Sequence, residues 1–189
     1  MIAVKRATYQ DLEALPEHQV GQIIDGELIV QPRPAIPHAR AASKLGSQVG
    51  SAFDDGRGGP GGWVILDEPE LHFGDDVLVP DLAGWRRERM PEVPAAAFVS
   101  LASDWVTEVL SPSTSALDRA GKLPIYATQG VRHVWLVDPL IRTLESYRLT
   151  PDGYLLLRTY GGSQQVRAQP FEAVSLDLAC LWPPQAPAP

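Results

Sequence analysis

Three charged residues stand in or beside runs that otherwise read as core: Asp81, Glu108 and Lys122. Asp81 follows Leu78-Val79-Pro80 and precedes Leu82-Ala83. Glu108 interrupts the run from Trp105 to Leu110. An ionised carboxylate in an apolar layer costs several kcal/mol, as an order of magnitude, unless a positive group meets it. Two such carboxylates on neighbouring strands also repel each other. A hard divalent cation relieves both problems, because Mg²⁺ or Mn²⁺ takes one or two carboxylates together with water and phosphate oxygens. These residue types therefore point to a two-carboxylate metal site, held by Asp81 and Glu108 and assisted by Lys122. The Val109 carbonyl is a candidate third ligand. Asp118 lies four residues before Lys122, one helical turn away, and is placed to orient it. Glu27, His38 and Glu70 are further candidates for positioning metal or water.

Each residue also has a plainer reading, which the sequence leaves open. Glu108 and Lys122 could form a structural salt bridge. Asp81 after Pro80 could be a turn-forming aspartate at a strand end. Asp118 and Lys122 could be a surface helix pair worth a few tenths of a kcal/mol, roughly. His38 could simply start a helix. Glu27 beside a turn could be solvated, and Glu70 could face either side of its strand. His18, His72 and His133 lack metal-ligand spacing and read as structural. Ser111 with His133 lacks a nucleophile-elbow glycine pattern, so Ser111-Pro112 reads as a strand stop.

The elements that must carry these groups follow from pattern. Thr8 to Asp11 caps a short helix reaching about Leu15. Residues 22–30 form a hairpin across Asp25-Gly26. After the proline-rich connector 32–37, a helix over 38–53 presents Ala42, Leu45, Val49 and Phe53 on one stripe. The glycine-rich stretch 56–62 lacks a phosphate-cradling Lys-Ser/Thr pair and reads as a mobile connection. Strands are expected over 63–73, 77–85 and 104–110, with a loop and short helix over 86–103. Alternation puts Glu108 on one face with Val106 and Leu110. A helix then runs from a cap at Ser113, Thr114 or Ser115 to Gln129, weakened in its early turns by Pro124 and closed by Gly130. A core strand over 132–137 and a hairpin over 142–160 complete the sheet, with a last short element over 171–182. This order reads as α/β or α+β with a mixed sheet, in one domain over 1–182. Residues 183–189, rich in proline and alanine, read as a disordered tail.

Composition bounds the partners. The chain has 189 residues, 44% hydrophobic and 21% charged, which suits one globular domain. No apolar run is long enough for a bilayer, and no signal-peptide core follows Met1. A single cysteine, Cys180, favours a reducing cytoplasm. The net charge of −7 argues against a nucleic-acid coat, though a bound cation can supply local positive charge. Arginines cluster at 86, 87 and 89, and Arg33, Arg40 and Lys44 form a second basic group. Each can be solvated surface, and the first reads so. Strand edges left by the C-terminal hairpin suggest a homodimer.

The run Glu108-Val109-Leu110-Ser111-Pro112-Ser113-Thr114 resembles the Uma2 family (DUF820), within the PD-(D/E)XK restriction-endonuclease-like superfamily. So do Asp118…Lys122-Leu123-Pro124-Ile125-Tyr126, Gly130-Val131 and Trp135-Leu136-Val137-Asp138-Pro139. Ile24-Asp25-Gly26-Glu27-Leu28, His38 and Pro80-Asp81 match in the same order. The resemblance covers nearly all of residues 8–160. It implies a restriction-endonuclease-like α-β-β-β-α-β core flanked by helices, with Asp81 and Glu108 as the motif acids. The superfamily lysine position, two residues after the glutamate, is Leu110 here. The family instead carries a lysine on the next helix, matching Lys122. Gln22 stands where the family often has a glutamate, which argues against a second metal site. The resemblance implies a Mg- or Mn-dependent endonuclease acting on DNA. A catalytically inactive module binding nucleic acid or protein, and a hydrolase of another phosphodiester, remain the alternatives.

Overall fold

The computed structural model describes residues 6–16, 19–31 and 33–184, so the expectations for His18 and for the tail beyond Pro184 lie outside the described residues. Thr8 and Asp11 form a capping box on the short helix α1 (Tyr9–Glu13). Asp25 (φ 53°) and Gly26 (φ 82°) both take left-handed conformations, as the tight two-residue turn requires. They join β1 (Val20–Ile24) to β2 (Glu27–Gln31) in antiparallel register. Helix α2 (Ile36–Val49) tolerates Pro37 in its first turn, where the missing N–H is no loss. A wide turn, Gly50–Asp54, extends it, and Ala41, Leu45, Val49, Ala52 and Phe53 face the core. The glycine-rich stretch that follows is seated on the helix end rather than loose. Arg57 N–H donates to Ser51 O and Gly61 N–H to Ala52 O. A Cβ at Gly59 would stand 2.5 Å from the Ala52 carbonyl oxygen.

Two expected central strands are each broken in two. The first divides into β3 (Trp63–Asp67) and β4 (Leu71–Phe73), the second into β5 (Asp76–Leu78) and β6 (Leu82–Arg86). The breaks face each other. At one, Glu68 adopts φ 46° ahead of Pro69. At the other, Pro80 has no N–H for a ladder. Glu68 N–H donates to the Asp81 carbonyl at 3.1 Å and ties the two together. Beyond them the chain changes sheets. β4 and β5 join a four-stranded sheet in the order β2-β1-β5-β4.

β3 and β6 belong to a six-stranded sheet with β7 (Trp105–Val109), β8 (His133–Asp138), β9 (Thr143–Thr150) and β10 (Gly153–Gly161), ordered β10-β9-β8-β7-β6-β3. Only β7 and β8 pair in parallel, which makes the sheet mixed and forces a crossover between them. That crossover is helical. It comprises α3 (Ser115–Leu117), a wide turn Asp118–Lys122 and α4 (Leu123–Thr128). In the wide turn Leu123 N–H donates to the Asp118 carbonyl, five residues back. The ladder is thus reset one residue before Pro124, whose ring and missing donor would disrupt a regular turn. Residues 87–104 contain no helix, contrary to expectation. Of the three breaks expected to loosen that segment, Pro91 and the alanines 95–97 lie in bends and Pro94 lies in irregular chain.

The six-stranded sheet buries both faces. On one, α2, Phe171 and the short elements β11 (Gln165–Val166) and β12 (Leu176–Asp177) pack on Trp63, Trp105 and Trp135. The Trp105 and Trp135 rings meet edge to face at 5.2 Å. On the other, α4 and residues of the small sheet cover Val106, Leu110, Val134 and Leu136. Among the described residues no helix is long and apolar enough to cross a membrane.

Candidate active site

Asp81 occupies the break between β5 and β6, where Pro80 releases the chain from the ladder. The position is braced from behind, since Gln22 Oε1 accepts the Val79 N–H at 2.9 Å. Both Asp81 carboxylate oxygens are engaged. Oδ2 accepts the Val109 N–H at 2.7 Å. Oδ1 lies 3.2 Å from His38 Nε2 on the first helical turns of α2. Its side chain is 11% exposed. Burial pushes the Asp81 carboxyl up, and His38, the Val109 N–H and Lys122 only partly offset this.

Glu108 lies in β7 on the face toward α4, as alternation predicts. Lys122 Nζ donates to Oε2 at 2.8 Å and Tyr126 OH to Oε1 at 2.6 Å. Lys122 also pairs with Asp118 Oδ1 at 3.1 Å. Glu108, Asp118 and Lys122 are each 2% exposed. Burial pushes Glu108 up to about 8, with Asp118 and Asp81 adding to the shift and Lys122 opposing it. Burial also works against the Lys122 ammonium, but Glu108 and Asp118 outweigh it and hold that group above the usual lysine range. Lys122 is therefore a charged donor and not a base at neutral pH.

Asp81, Glu108, Val109, Asp118, Lys122 and His38 line one cavity of about 770 Å³. Asp118–Lys122 is thus a buried pair and not a surface one. Val109 meets Asp81 through its N–H. Glu27 and Glu70 are not brought there. Glu27 is exposed on β2. Glu70 accepts from Tyr9 OH at 2.9 Å and sits 2.7 Å from His72 Nε2, which commits it to holding α1 against β4. The break at Glu68 reset the strand alternation and turned Glu68, not Glu70, to the cavity. Gln31 and Arg33 line it too. Tyr126 escaped sequence reading as an ordinary core aromatic. The signal lay in its spacing, four residues after Lys122, as Lys122 lies four after Asp118.

Acidic groups outnumber basic ones, with the carboxyl groups of 81, 108 and 118 beside one ammonium and one imidazole. Among the described residues no three His, Cys, Asp or Glu side chains stand together as a ready-made metal cage. A hard divalent cation needs less, one or two carboxylates with water completing the shell. Asp81 and Glu108 each keep unused lone pairs beside the cavity, so the donor set fits such an ion. The arginines at 86, 87 and 89 are structural. Arg86 lies over the Trp63 ring, Arg87 pairs with Asp54 and Arg89 with Asp104.

The mixed sheet, its flanking helices and the added hairpins form the restriction-endonuclease-like core that the motifs implied. The family model of Uma2, described as "Putative restriction endonuclease", matches residues 6–179, and the chain belongs to that family. Among solved structures it is similar to "a putative nuclease belonging to DUF820" from Anabaena variabilis ATCC 29413. The TM-score is 0.74 and the identity 24%, over 93% of this chain and 97% of that one, a likeness that carries the fold. None of the curated proteins matches.

Proposed function

We propose that this chain is a metal-dependent nuclease that hydrolyses phosphodiester bonds of nucleic acid, DNA foremost, in the cytoplasm. One observation carries the reading. Asp81, Glu108 and Lys122 come from three separate segments and line the same cavity, two carboxyl groups beside one ammonium. Asp81 and Glu108 would hold Mg²⁺ or Mn²⁺, with the Val109 carbonyl as the candidate third ligand. A cation bound there supplies Lewis-acid polarisation of a phosphoryl oxygen and a water of lowered pKa. His38 and the Val109 N–H fix the Asp81 carboxylate in one orientation. Tyr126 and Lys122 do the same for Glu108. Asp118 keeps Lys122 charged and aimed, so its ammonium can meet negative charge growing on phosphorus.

A second reading, an inactive nuclease-fold module that binds nucleic acid or protein, draws on one feature. Two of the three Lys122 ammonium donors are already taken by Glu108 and Asp118, as in a structural ion pair. Cleavage assays separate the two readings, using supercoiled, linear, branched and single-stranded DNA with Mg²⁺ or Mn²⁺. Cutting that disappears in both Asp81→Asn and Glu108→Gln supports the nuclease. A wild-type protein that binds DNA without cutting it moves the assignment to the second reading, and activity surviving both substitutions places the chemistry elsewhere.

A further inference from the structure

The acidic groups of the cavity are recessed rather than displayed. The Glu108 and Lys122 side chains are 3% exposed and Asp81 is 11% exposed. A phosphate must therefore travel into the recess to reach them. The cavity holds about 770 Å³, within the roughly 300–1,000 Å³ of small-ligand pockets. A double helix, with a major groove alone roughly 12 Å wide and a stiff backbone, does not fit such a space. One flexible strand does.

Two walls bound the recess. Val20, Gln31, Arg33 and Pro34 come from the β1–β2 hairpin and the segment after it, and Ser113 and Thr114 from the turn after β7. Arg33 forms no ion pair among the described residues, and it is exposed at the cavity. In the second of these segments the Ser113 and Thr114 hydroxyls each lie 3.0 Å from Ser111 Oγ, a cluster of hydroxyls that can donate to phosphate oxygens. The chain carries a net charge of −7, and Arg86, Arg87 and Arg89 are committed to Trp63, Asp54 and Asp104.

We propose that the substrate is a single polynucleotide strand, drawn between these walls with Arg33 on a phosphate beside the scissile one, and not an intact duplex. This rests on the nuclease reading for the chemistry but makes its own binding claim. The test is fluorescence anisotropy with the full chain, using a labelled 12-nucleotide DNA strand, the RNA strand of the same sequence, and the blunt DNA duplex, in EDTA and in Ca²⁺. The expected result is at least tenfold tighter binding of a single strand than of the duplex, with Arg33→Ala weakening the strand about tenfold and leaving the weak duplex binding unchanged. Whether DNA or RNA binds more tightly identifies the strand. Duplex binding as tight as single-strand binding, or an Arg33→Ala protein that binds the strand as well as wild type, overturns the proposal. Cleavage in Mn²⁺ is scored separately. Tight strand binding without cleavage leaves this proposal standing and removes the nuclease, whereas cleavage with duplex preference does the reverse.

Discussion

Lys122 Nζ lies 2.8 Å from Glu108 Oε2, and both side chains are 3% exposed. Such a pair is held by mutual need, because the Lys122 ammonium is costly in an apolar layer without an acceptor and the Glu108 carboxyl is costly without a donor. Lys122→Met leaves Glu108 and Asp118 facing each other in an apolar layer, and removing one partner of a buried pair costs roughly 3–5 kcal/mol. Urea unfolding should show this loss. The double substitution Lys122→Met/Glu108→Gln should recover part of it, because the remaining buried charge is fewer. A double variant less stable than Lys122→Met would mean that the two side chains do not couple.

Glu108 also predicts how stability follows pH. Its folded-state pKa, about 8, stands above the usual 4.5. A carboxyl with a raised folded pKa favours the folded state fully below the unfolded value. That advantage is lost as pH climbs through the folded value. Wild type without divalent ions should therefore lose stability between pH 5 and 8, by a few kcal/mol as an order of magnitude. Lys122, raised as well, acts in a different window, since its contribution is intact below the unfolded lysine value of 10.5 and lost only above it. Thermal melts of wild type and Glu108→Gln across pH 5–9 check this. The glutamine variant should be flatter, and Mn²⁺ should protect wild type more as pH rises because it competes with the proton on Glu108. Parallel profiles for the two proteins would contradict the assignment.

What could be read from the chain alone depended on whether the signal was local. Asp25-Gly26 predicted its hairpin because the turn type is written in two residues. Glu108 stood out because a carboxylate in Trp105–Val109 has no reason to be there without a partner, and alternation named its face. The strand breaks were not visible. Pro80 announced a disruption, but nothing marked Glu68 for φ 46°. Alternation left the face of Glu70 open and would put Glu68 on the same side, so only the break explains why Glu68 lines the cavity and Glu70 does not. Tyr126 was hidden by its type, since an aromatic on a helix facing a sheet needs no special explanation. Its hydroxyl partner is 18 residues away in sequence.

Tyr126 should matter to metal affinity more than to the fold. Its hydroxyl is spent on Glu108 Oε1, which leaves that carboxylate one fixed orientation. Groups that orient a metal ligand from behind typically cost 10–100-fold in affinity when removed. Tyr126→Phe keeps the ring in its packing site and removes only the hydrogen bond. Calorimetric Mn²⁺ titration should then give a dissociation constant about tenfold weaker, with a stability loss of roughly 1–3 kcal/mol from the unsatisfied acceptor. Unchanged Mn²⁺ affinity alongside that stability loss would leave Tyr126 a purely structural residue.

Gln22 offers the reciprocal experiment, adding charge instead of removing it. It is 2% exposed, lines the cavity, and accepts the Val79 N–H through Oε1. A glutamate there can keep that hydrogen bond, because a carboxylate oxygen accepts as the amide oxygen does. What changes is the charge, with one more buried carboxylate beside Asp81, Glu108 and Asp118. In EDTA the Gln22→Glu protein should melt several degrees lower than wild type, since about 1 kcal/mol corresponds to roughly 2–4 °C in a domain of this size. Adding Mn²⁺ should raise its melting temperature by more than it raises that of wild type, because a cation is the natural counterweight to the added charge. If the melting temperature falls and Mn²⁺ restores none of it, position 22 lies out of reach of any bound ion and serves only to brace Val79.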